Sequence, residues 1–312
     1  MKIVFLEAQS IGEDVDLSGY DALGEVVKYP VTATGQVPER IADADVVILS
    51  KVPVNEATIG AAKNLKLICV TATGTNNLDK EYLDSHGIAW RNVADYSTES
   101  VAQHTFAMLF YLLEKMRYYD DYVKNGSYEK DTVFTHFGER FGEIKGKTWG
   151  IIGLGNIGRR VAAIAEAFGA NVIYASASGR PAQDGYHQVD MDTLLAESDF
   201  ISVHAPLNEY TENLIDKEHL SKMKPSCIFL NVGRGPIVVE EDLADALEQG
   251  VIAAAGLDVL RVEPILPDNP LNRIKDSKKL LITPHVAWAS IESRTKLMTI
   301  ILGQIKEFFS ID

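Results

Sequence analysis

The chain has 312 residues, of which 46% are hydrophobic and 24% charged, so it is long enough for two globular domains of ordinary size. Its formal net charge of −14 disfavours nucleic acid or an anionic membrane surface as a partner, since both attract positive patches. No apolar run approaches the ~20 residues that a membrane-spanning helix needs, and the apolar start at 3–6 is too short for a signal peptide.

The two cysteines, Cys69 and Cys227, stand in separate apolar runs and are expected to be buried free thiols on strands. Two scattered cysteines indicate neither a disulfide framework nor a metal site. The sequence therefore predicts no bound metal and a reducing, cytoplasmic location.

Short apolar runs alternate with helical patterns along most of the chain, which is typical of parallel sheets covered by helices on both faces. The predicted strands are 3–6, 46–49, 67–70, 148–152, 171–174, 200–203, 227–231, 254–257 and 280–283. We expect an α/β fold with two doubly wound parallel-sheet domains.

A long helical pattern interrupts this alternation midway. It runs from about Ser97 to Asn125 and is broken only by Gly126, ahead of a polar, aromatic stretch. A connector of this length indicates a crossover between two α/β halves, with the boundary near Ser97. Near the C-terminus, apolar spacings of three, four and seven over 291–309 predict an amphipathic helix that could pack on either half.

A glycine-rich turn follows the buried strand at 148–152 and precedes a helical pattern at 159–168. Its sequence is Gly153-Leu154-Gly155-Asn156-Ile157-Gly158. In this strand–turn–helix context the first glycine permits the turn, the second admits a pyrophosphate, and the third lets the helix pack on the sheet. The helix N-terminus then offers N–H groups to the phosphates, so the motif predicts dinucleotide binding.

An acidic residue that would bind the ribose 2′-hydroxyl is missing at the end of the next strand. That position is taken by Ser176, with Ser178 and Arg180 close by. Without a carboxylate to repel a 2′-phosphate, NADP should be usable as well as NAD. The open alternative is that Arg180 is simply a solvated loop residue.

Three side chains at or just after later strand ends suit one reaction: Arg234, Glu263 and His285. An arginine can anchor the carboxylate of a 2-keto acid, and a histidine can protonate the alkoxide that forms when its carbonyl is reduced. A carboxylate beside the histidine would orient its ring and favour the imidazolium. Spacing alone leaves another interpretation open, in which the arginine caps a helix and the glutamate is solvated.

Together with the glycine turn, further segments are similar to the D-isomer-specific 2-hydroxyacid dehydrogenase family over nearly the whole chain. They are Asn231-Val232-Gly233-Arg234-Gly235, Leu257-Asp258-Val259, Glu263-Pro264 and Thr283-Pro284-His285-Val286-Ala287-Trp288. The resemblance implies an NAD(P)-dependent enzyme acting on a small 2-keto or 2-hydroxy acid. It implies that Arg234 binds the substrate, that His285 is the acid/base, and that Glu263 pairs with His285.

The resemblance also assigns residues around this trio. Asp258 would face the nicotinamide carboxamide. The stretch His204, Ala205 and Pro206 would line the adenine side, and Val232 and Gly233 would contribute backbone groups. Trp288, three residues after His285, would contact substrate, in a pattern most similar to glycerate dehydrogenase/hydroxypyruvate reductase.

In the first half, the stretch 71–77 resembles the family's carboxylate-holding loop, with the N–H groups of Thr73 and Gly74 as donors, although an ordinary turn is the alternative. Lys51 could line the substrate pocket or be solvated. The family pattern divides the chain into a flavodoxin-like substrate-binding domain, 1–97 plus 288–312, and an inserted Rossmann dinucleotide-binding domain, 98–287. It also implies a homodimer paired through the crossover region.

Two rival functions remain open at this point. A D-lactate dehydrogenase or another D-2-hydroxyacid dehydrogenase would share the fold and the three catalytic residue types. A nucleotide-sensing corepressor would share the fold alone and would not need Arg234, Glu263 and His285 together, so their presence favours the enzyme.

Overall fold

The computed structural model describes residues 1–179 and 185–311. The chain forms two compact units, one of Met1–Ser97 with Ala289–Asp312 and the other of Thr98–Trp288. Each unit is built around a parallel sheet of its own.

The first unit contains a five-stranded sheet with three short helices among its connections. Its elements are β1 Lys2–Phe5, β2 Glu25–Lys28, α1 Val37–Arg40, β3 Val46–Leu49, α2 Glu56–Ile59, β4 Leu67–Val70, α3 Lys80–Ser85 and β5 Ala89–Arg91. The strand order β2-β1-β3-β4-β5 is the flavodoxin-like order. The strands β3 and β4 are buried at every position, which explains their uninterrupted apolar sequences.

The described residues of the second unit form a seven-stranded sheet with six helices. Its elements are α4 Thr98–Leu113, α5 Met116–Lys124, β6 Thr148–Ile152, α6 Asn156–Ala167, β7 Asn171–Ala175, β8 His187–Gln188, α7 Met191–Glu197, β9 Phe200–Val203, α8 Lys217–Lys222, β10 Ile228–Asn231, α9 Glu240–Gln249, β11 Ala254–Leu257 and β12 Leu280–Ile282. The order β12-β11-β10-β9-β6-β7-β8 is the dinucleotide-binding order with one added strand. The predicted pair of doubly wound parallel sheets is confirmed.

The C-terminal helix α10, Ile291–Phe309, has the predicted bounds and belongs to the first unit. Its Met298 carbonyl accepts a hydrogen bond from the buried hydroxyl of Tyr20 at 2.7 Å. At its start, Arg294 donates to both carboxylate oxygens of Asp14, at 2.5 and 2.8 Å. No helix within the described ranges is long and apolar enough to span a membrane.

The predicted single helix from Ser97 to Asn125 is wrong, because two helices, α4 and α5, meet at Lys115. This residue adopts a left-handed backbone conformation, with φ of 52°. Tertiary packing explains the break, because α4 buries one face while α5 buries no residue completely. The sequence gives no glycine or proline signal at this point.

Three strands were missing from the prediction: β2, β5 and β8. Each lies at the edge of its sheet, and none contains a fully buried residue. An edge strand needs no continuous apolar run, so the pattern that revealed the central strands is absent.

Candidate active site

A cavity of about 420 Å³ lies in the second unit around the turn that follows β6. Its lining residues are Gly153, Leu154, Gly155, Asn156, Arg159, Tyr174, Ser176, Ala177, Ser178, His204, Ala205, Pro206, Asn208, Tyr210 and Thr211. Seven of them are predicted cofactor residues: Gly153, Gly155, Asn156, Ser176, His204, Ala205 and Pro206. The site lies where the strand order reverses between β6 and β9, the usual ligand position in such sheets.

Each of the three glycine positions of the turn has its own structural reason for lacking a side chain. Gly153 has φ of 94°, and a Cβ there would meet the backbone nitrogen of Ala205 at 2.7 Å. A Cβ on Gly158 would meet the carbonyl oxygen of Gly153 at 2.4 Å, so that position permits close packing of α6. A Cβ on Gly155 would meet nothing within 4 Å, which leaves open space at the helix N-terminus for a phosphate. Ile157, by contrast, packs against the core of the second unit.

His204 supplies a neutral imidazole to the cavity wall. Its Nε2 lies 2.9 Å from the hydroxyl of Ser202, which also accepts a hydrogen bond from the indole of Trp149 at 2.9 Å. Burial lowers the pKa of His204 to about 3. Its Nδ1 has no hydrogen-bond partner among the described residues, so a buried polar atom remains for a ligand. Both this atom and the open space at Gly155 fit a bound dinucleotide.

The end of the cavity near β7 contains Ser176 and Ser178, and no carboxylate occurs among its lining residues in the described ranges. Arg159 also lines it, a cation that sequence reasoning missed although it follows Gly158 directly. Arg180, the predicted partner of a 2′-phosphate, lies outside the described residues.

The loop after β10 is shaped by Asn231, a buried residue that was not predicted to be functional. Its side-chain oxygen accepts the N–H of Gly233, and its amide donates to the carbonyl of Arg234, both at 3.0 Å. The predicted cofactor residues Val232 and Gly233 are buried here. A Cβ on Gly233 would lie 3.1 Å from the carbonyl oxygen of Ala205, so this loop reaches the cavity wall.

Arg234 lies in this loop, and most of its guanidinium donors have no partner among the described residues. One guanidinium nitrogen donates to the carbonyl of Gly233 at 2.8 Å, and no carboxylate in 1–179 or 185–311 lies within ion-pair distance. A Cβ on Gly235 would overlap the backbone of Leu260 at 2.0 Å or less, so this glycine lets the loops after β10 and β11 touch. That contact brings Arg234 towards the loop that carries Glu263.

Glu263 and His285 are in direct side-chain contact. The Nδ1 of His285 lies 2.7 Å from Oε2 of Glu263, while Oε1 of the same carboxylate accepts the N–H of Leu260 at 2.9 Å. With Nδ1 directed at the carboxylate, Nε2 of His285 is the nitrogen left for a substrate. His285 has φ of 55°, a left-handed conformation that its surroundings must maintain.

Asp258 maintains that conformation. Its carboxylate accepts hydrogen bonds from the N–H groups of Val286 and Ala287, both at 2.9 Å, and from the hydroxyl of Thr283 at 2.6 Å. Its carbonyl accepts the N–H of His285 at 2.8 Å. The side chain is 1% exposed, and three of about four acceptor positions are occupied. The predicted contact of Asp258 with the nicotinamide carboxamide stays a prediction.

Trp288 ends this loop, half-buried against the core of the second unit. Its assignment to substrate binding also stays a prediction. No cluster of three or more histidine, cysteine, aspartate or glutamate side chains suitable for a metal occurs in the described part of the chain.

The first unit contains two ordered loops at the ends of β3 and β4. Glu7, which sequence reasoning missed, accepts the N–H groups of residues 50–52 on one carboxylate oxygen at 2.7–3.2 Å, while the side chain of Lys51 is exposed. The hydroxyl of Thr73 donates to the carbonyl of Val93 at 3.0 Å. Within the described ranges, the N–H groups of Thr73 and Gly74 have no protein acceptor, so they could bind an anion. Their substrate role stays a prediction.

The sequence is similar to dehydrogenases whose names fit a site of this kind. The sequence model of the D-isomer specific 2-hydroxyacid dehydrogenase, NAD binding domain, matches residues 106–287. A hydroxypyruvate reductase of Blautia hydrogenotrophica is 38% identical, covering 99% of this chain and 97% of the relative. A glycerate dehydrogenase of Methylorubrum extorquens is 36% identical, covering 98% and 96%.

Among solved structures, the chain is similar to an NADPH-dependent glyoxylate/hydroxypyruvate reductase of Sinorhizobium meliloti in complex with NADP and malonate. The TM-score is 0.82 at 25% identity, with 99% of this chain and 93% of that chain covered. The match of the family model over more than half of the chain and the identity of full-length relatives agree with the glycine turn and the Glu263–His285 pair. The chain belongs to the D-isomer-specific 2-hydroxyacid dehydrogenase family.

Proposed function

We propose that this protein reduces a small 2-keto acid of the hydroxypyruvate or glyoxylate type to the D-2-hydroxy acid, and catalyses the reverse reaction. The observation that carries the proposal is the 2.7 Å contact between Glu263 and His285, in the same unit as the glycine turn. The names of the relatives, hydroxypyruvate reductase and glycerate dehydrogenase, support this substrate class.

His285 is the proposed acid/base. The nicotinamide cofactor, when bound, supplies a hydride to the carbonyl carbon. Negative charge then develops on the carbonyl oxygen, and Nε2 of His285 donates the proton that neutralises it. Glu263 accepts Nδ1–H, which fixes the ring orientation and stabilises the imidazolium. In the reverse direction Nε2 takes the proton back.

Arg234 is the proposed anchor of the substrate. Its guanidinium is planar, permanently charged and without a carboxylate partner in the described ranges. A 2-keto acid presents a carboxylate that accepts two parallel hydrogen bonds from such a group. Arg234 would thereby hold the carbonyl carbon beside His285.

A panel of keto acids tests the substrate assignment. Purified protein is mixed with NADH or NADPH and with hydroxypyruvate, glyoxylate, pyruvate or phenylpyruvate, and the absorbance of the reduced cofactor is followed. We expect hydroxypyruvate or glyoxylate to give the highest kcat/KM. Preference for pyruvate would favour a D-lactate dehydrogenase, and cofactor binding without any turnover would favour the corepressor-like function.

The same enzyme is proposed to accept both NADH and NADPH. The support is a cavity lined by two serines and Arg159, with no carboxylate among its described lining residues. Ser176→Asp should weaken NADPH use far more than NADH use, because the new carboxylate repels a 2′-phosphate. Arg180→Ala should weaken NADPH use alone if Arg180 contacts that phosphate. An enzyme that prefers NADH strongly and is unchanged by Arg180→Ala would contradict the NADP part of the proposal.

We also propose a homodimer that works in the cytoplasm. The dimer is supported by exposed aromatic side chains in the stretch 128–141, which follows α5. The cytoplasmic location is supported by Cys69 and Cys227, both buried and free.

A further inference from the structure

His104 lies on α4 and contacts the loop that carries His285, although no step of the proposed reaction uses it. Its Nε2 is 3.0 Å from the hydroxyl oxygen of Thr283 and 3.6 Å from Oδ1 of Asp258. The ring is 21% exposed. A polar side chain thus projects from a helix whose other packed positions are almost all apolar.

The direction of the hydrogen bond between His104 and Thr283 follows from the single proton of the Thr283 hydroxyl. The hydroxyl of Thr283 has one proton, and its 2.6 Å contact with the carboxylate of Asp258 takes that proton. Thr283 can therefore only accept from His104, so Nε2 of His104 carries the hydrogen. His104 thus donates to Thr283, and Thr283 donates to the carboxylate of Asp258.

A second residue of the same helix face holds the other end of the loop. The hydroxyl of Ser100 donates to the carbonyl of Ala287 at 2.6 Å. Ser100 and His104 are four positions apart, and therefore neighbours on one side of α4. The helix therefore contacts the loop on both sides of His285, which has a left-handed backbone conformation.

We propose, resting on the proposed function, that His104 is a positioning residue for His285. From α4 it fixes the carboxylate of Asp258 through Thr283, and Asp258 holds the N–H groups of Val286 and Ala287. The imidazole of His285 is thereby kept in its contact with Glu263. Ser100 assists from the other end of the loop.

His104→Leu, His104→Gln and Thr105→Val test this role by steady-state kinetics. Thr105 is a matched control, because it is buried on the same helix and its hydroxyl, among the described residues, bonds only to the carbonyl of Val101 in α4. We expect His104→Leu to lower kcat by about 10–100-fold, the effect of a small misplacement of a reacting group, with little change in KM. His104→Gln keeps a donor and should recover much of kcat, while Thr105→Val should stay within about twofold of wild type.

The proton NMR resonance of the His285 Nδ1–H reports its contact with Glu263 without any turnover. We expect this resonance to shift or broaden in His104→Leu and to stay in place in Thr105→Val. If His104→Leu matches Thr105→Val in kcat and in this resonance, or if His104→Gln is as impaired as His104→Leu, His104 does not position His285. A wild-type protein that reduces no keto acid would instead refute the proposed function, and the resonance would still test the positioning role.

Discussion

His285 is held from two directions, and the loop of Arg234 is also supported by a neighbouring polar side chain. Glu263 fixes its ring, while Asp258 fixes the backbone around it. Asn231 performs the corresponding task for the loop of Arg234. Such supporting polar groups leave the reacting atoms few ways to move, which is what precise hydride and proton transfer requires.

Replacing His285 with Ala should lower keto-acid reduction by about 10²–10⁴-fold, the usual contribution of a general acid. Cofactor binding should survive, because none of the residues lining the cavity around the glycine turn is changed. Steady-state rates and a cofactor titration by fluorescence measure the two effects. A His285→Ala enzyme within a few-fold of wild type would remove His285 from the mechanism.

Glu263→Gln should lower kcat for keto-acid reduction by roughly tenfold, because the carboxylate 2.7 Å from Nδ1 of His285 is replaced by a neutral amide. A hydrogen bond to a charged acceptor is stronger than one to a neutral acceptor, so the glutamine orients the imidazole less firmly. Steady-state kcat of the variant and of wild type tests this contact, and equal values would refute its role.

Arg234→Lys should damage activity although it keeps the charge. Losing the two-pronged donor costs about 1.5–3 kcal/mol, or roughly 10–100-fold in kcat/KM. Arg261→Lys is a matched control on the neighbouring loop, because Arg261 is exposed and donates to Asn213 and the carbonyl of Pro236. If both lysine variants retain wild-type kcat/KM, the substrate carboxylate is anchored elsewhere.

At the scale of single elements, the turn between β6 and α6 has one glycine that matters for folding and another that matters for cofactor binding. Gly155→Ala should fold normally, since its Cβ meets nothing, yet weaken cofactor affinity by roughly tenfold or more, or ~1.4 kcal/mol, because the methyl enters the phosphate space. Gly153→Ala should instead lower the free energy of unfolding by about 1–3 kcal/mol, because of its positive φ and its overlap with Ala205. Urea denaturation and cofactor titration of both variants distinguish the two roles, and equal behaviour would contradict the assignment.

Elements differ in how well their sequences predict them. Central strands such as β3 and β4 were predicted at their bounds because burial on both faces demands an unbroken apolar run. The edge strands β2, β5 and β8 lack that demand and were missed, and the break at Lys115 depends on packing that no local pattern records. In the site, residues with reactive side chains could be predicted by type and position. Glu7 and Asn231 could not, since they act by binding backbone groups of distant or irregular loops.

At the scale of the whole molecule, the stretch 128–141 is anchored to α5 and yet exposes large aromatic side chains. The hydroxyl of Tyr118 lies 2.8 Å from Nε2 of His136, and the hydroxyl of Tyr119 donates to the carbonyl of Glu139 at 2.5 Å. Phe134 is nevertheless 90% exposed and Phe137 87% exposed. An anchored segment that presents such side chains to water is typical of a surface covered by a partner.

Phe134→Asp with Phe137→Asp should therefore convert the proposed dimer into a monomer. Burying each phenylalanine contributes about 1.5–3 kcal/mol, and an aspartate would place an unpaired charge in the interface. Val31→Asp is the control, because Val31 is also exposed but belongs to the first unit, away from this stretch in sequence. Light scattering after size-exclusion chromatography should give twice the chain mass for wild type and Val31→Asp, and the chain mass for the double variant. A monomeric wild type, or a double variant that stays dimeric, would show that this aromatic stretch does not pair two copies of the chain.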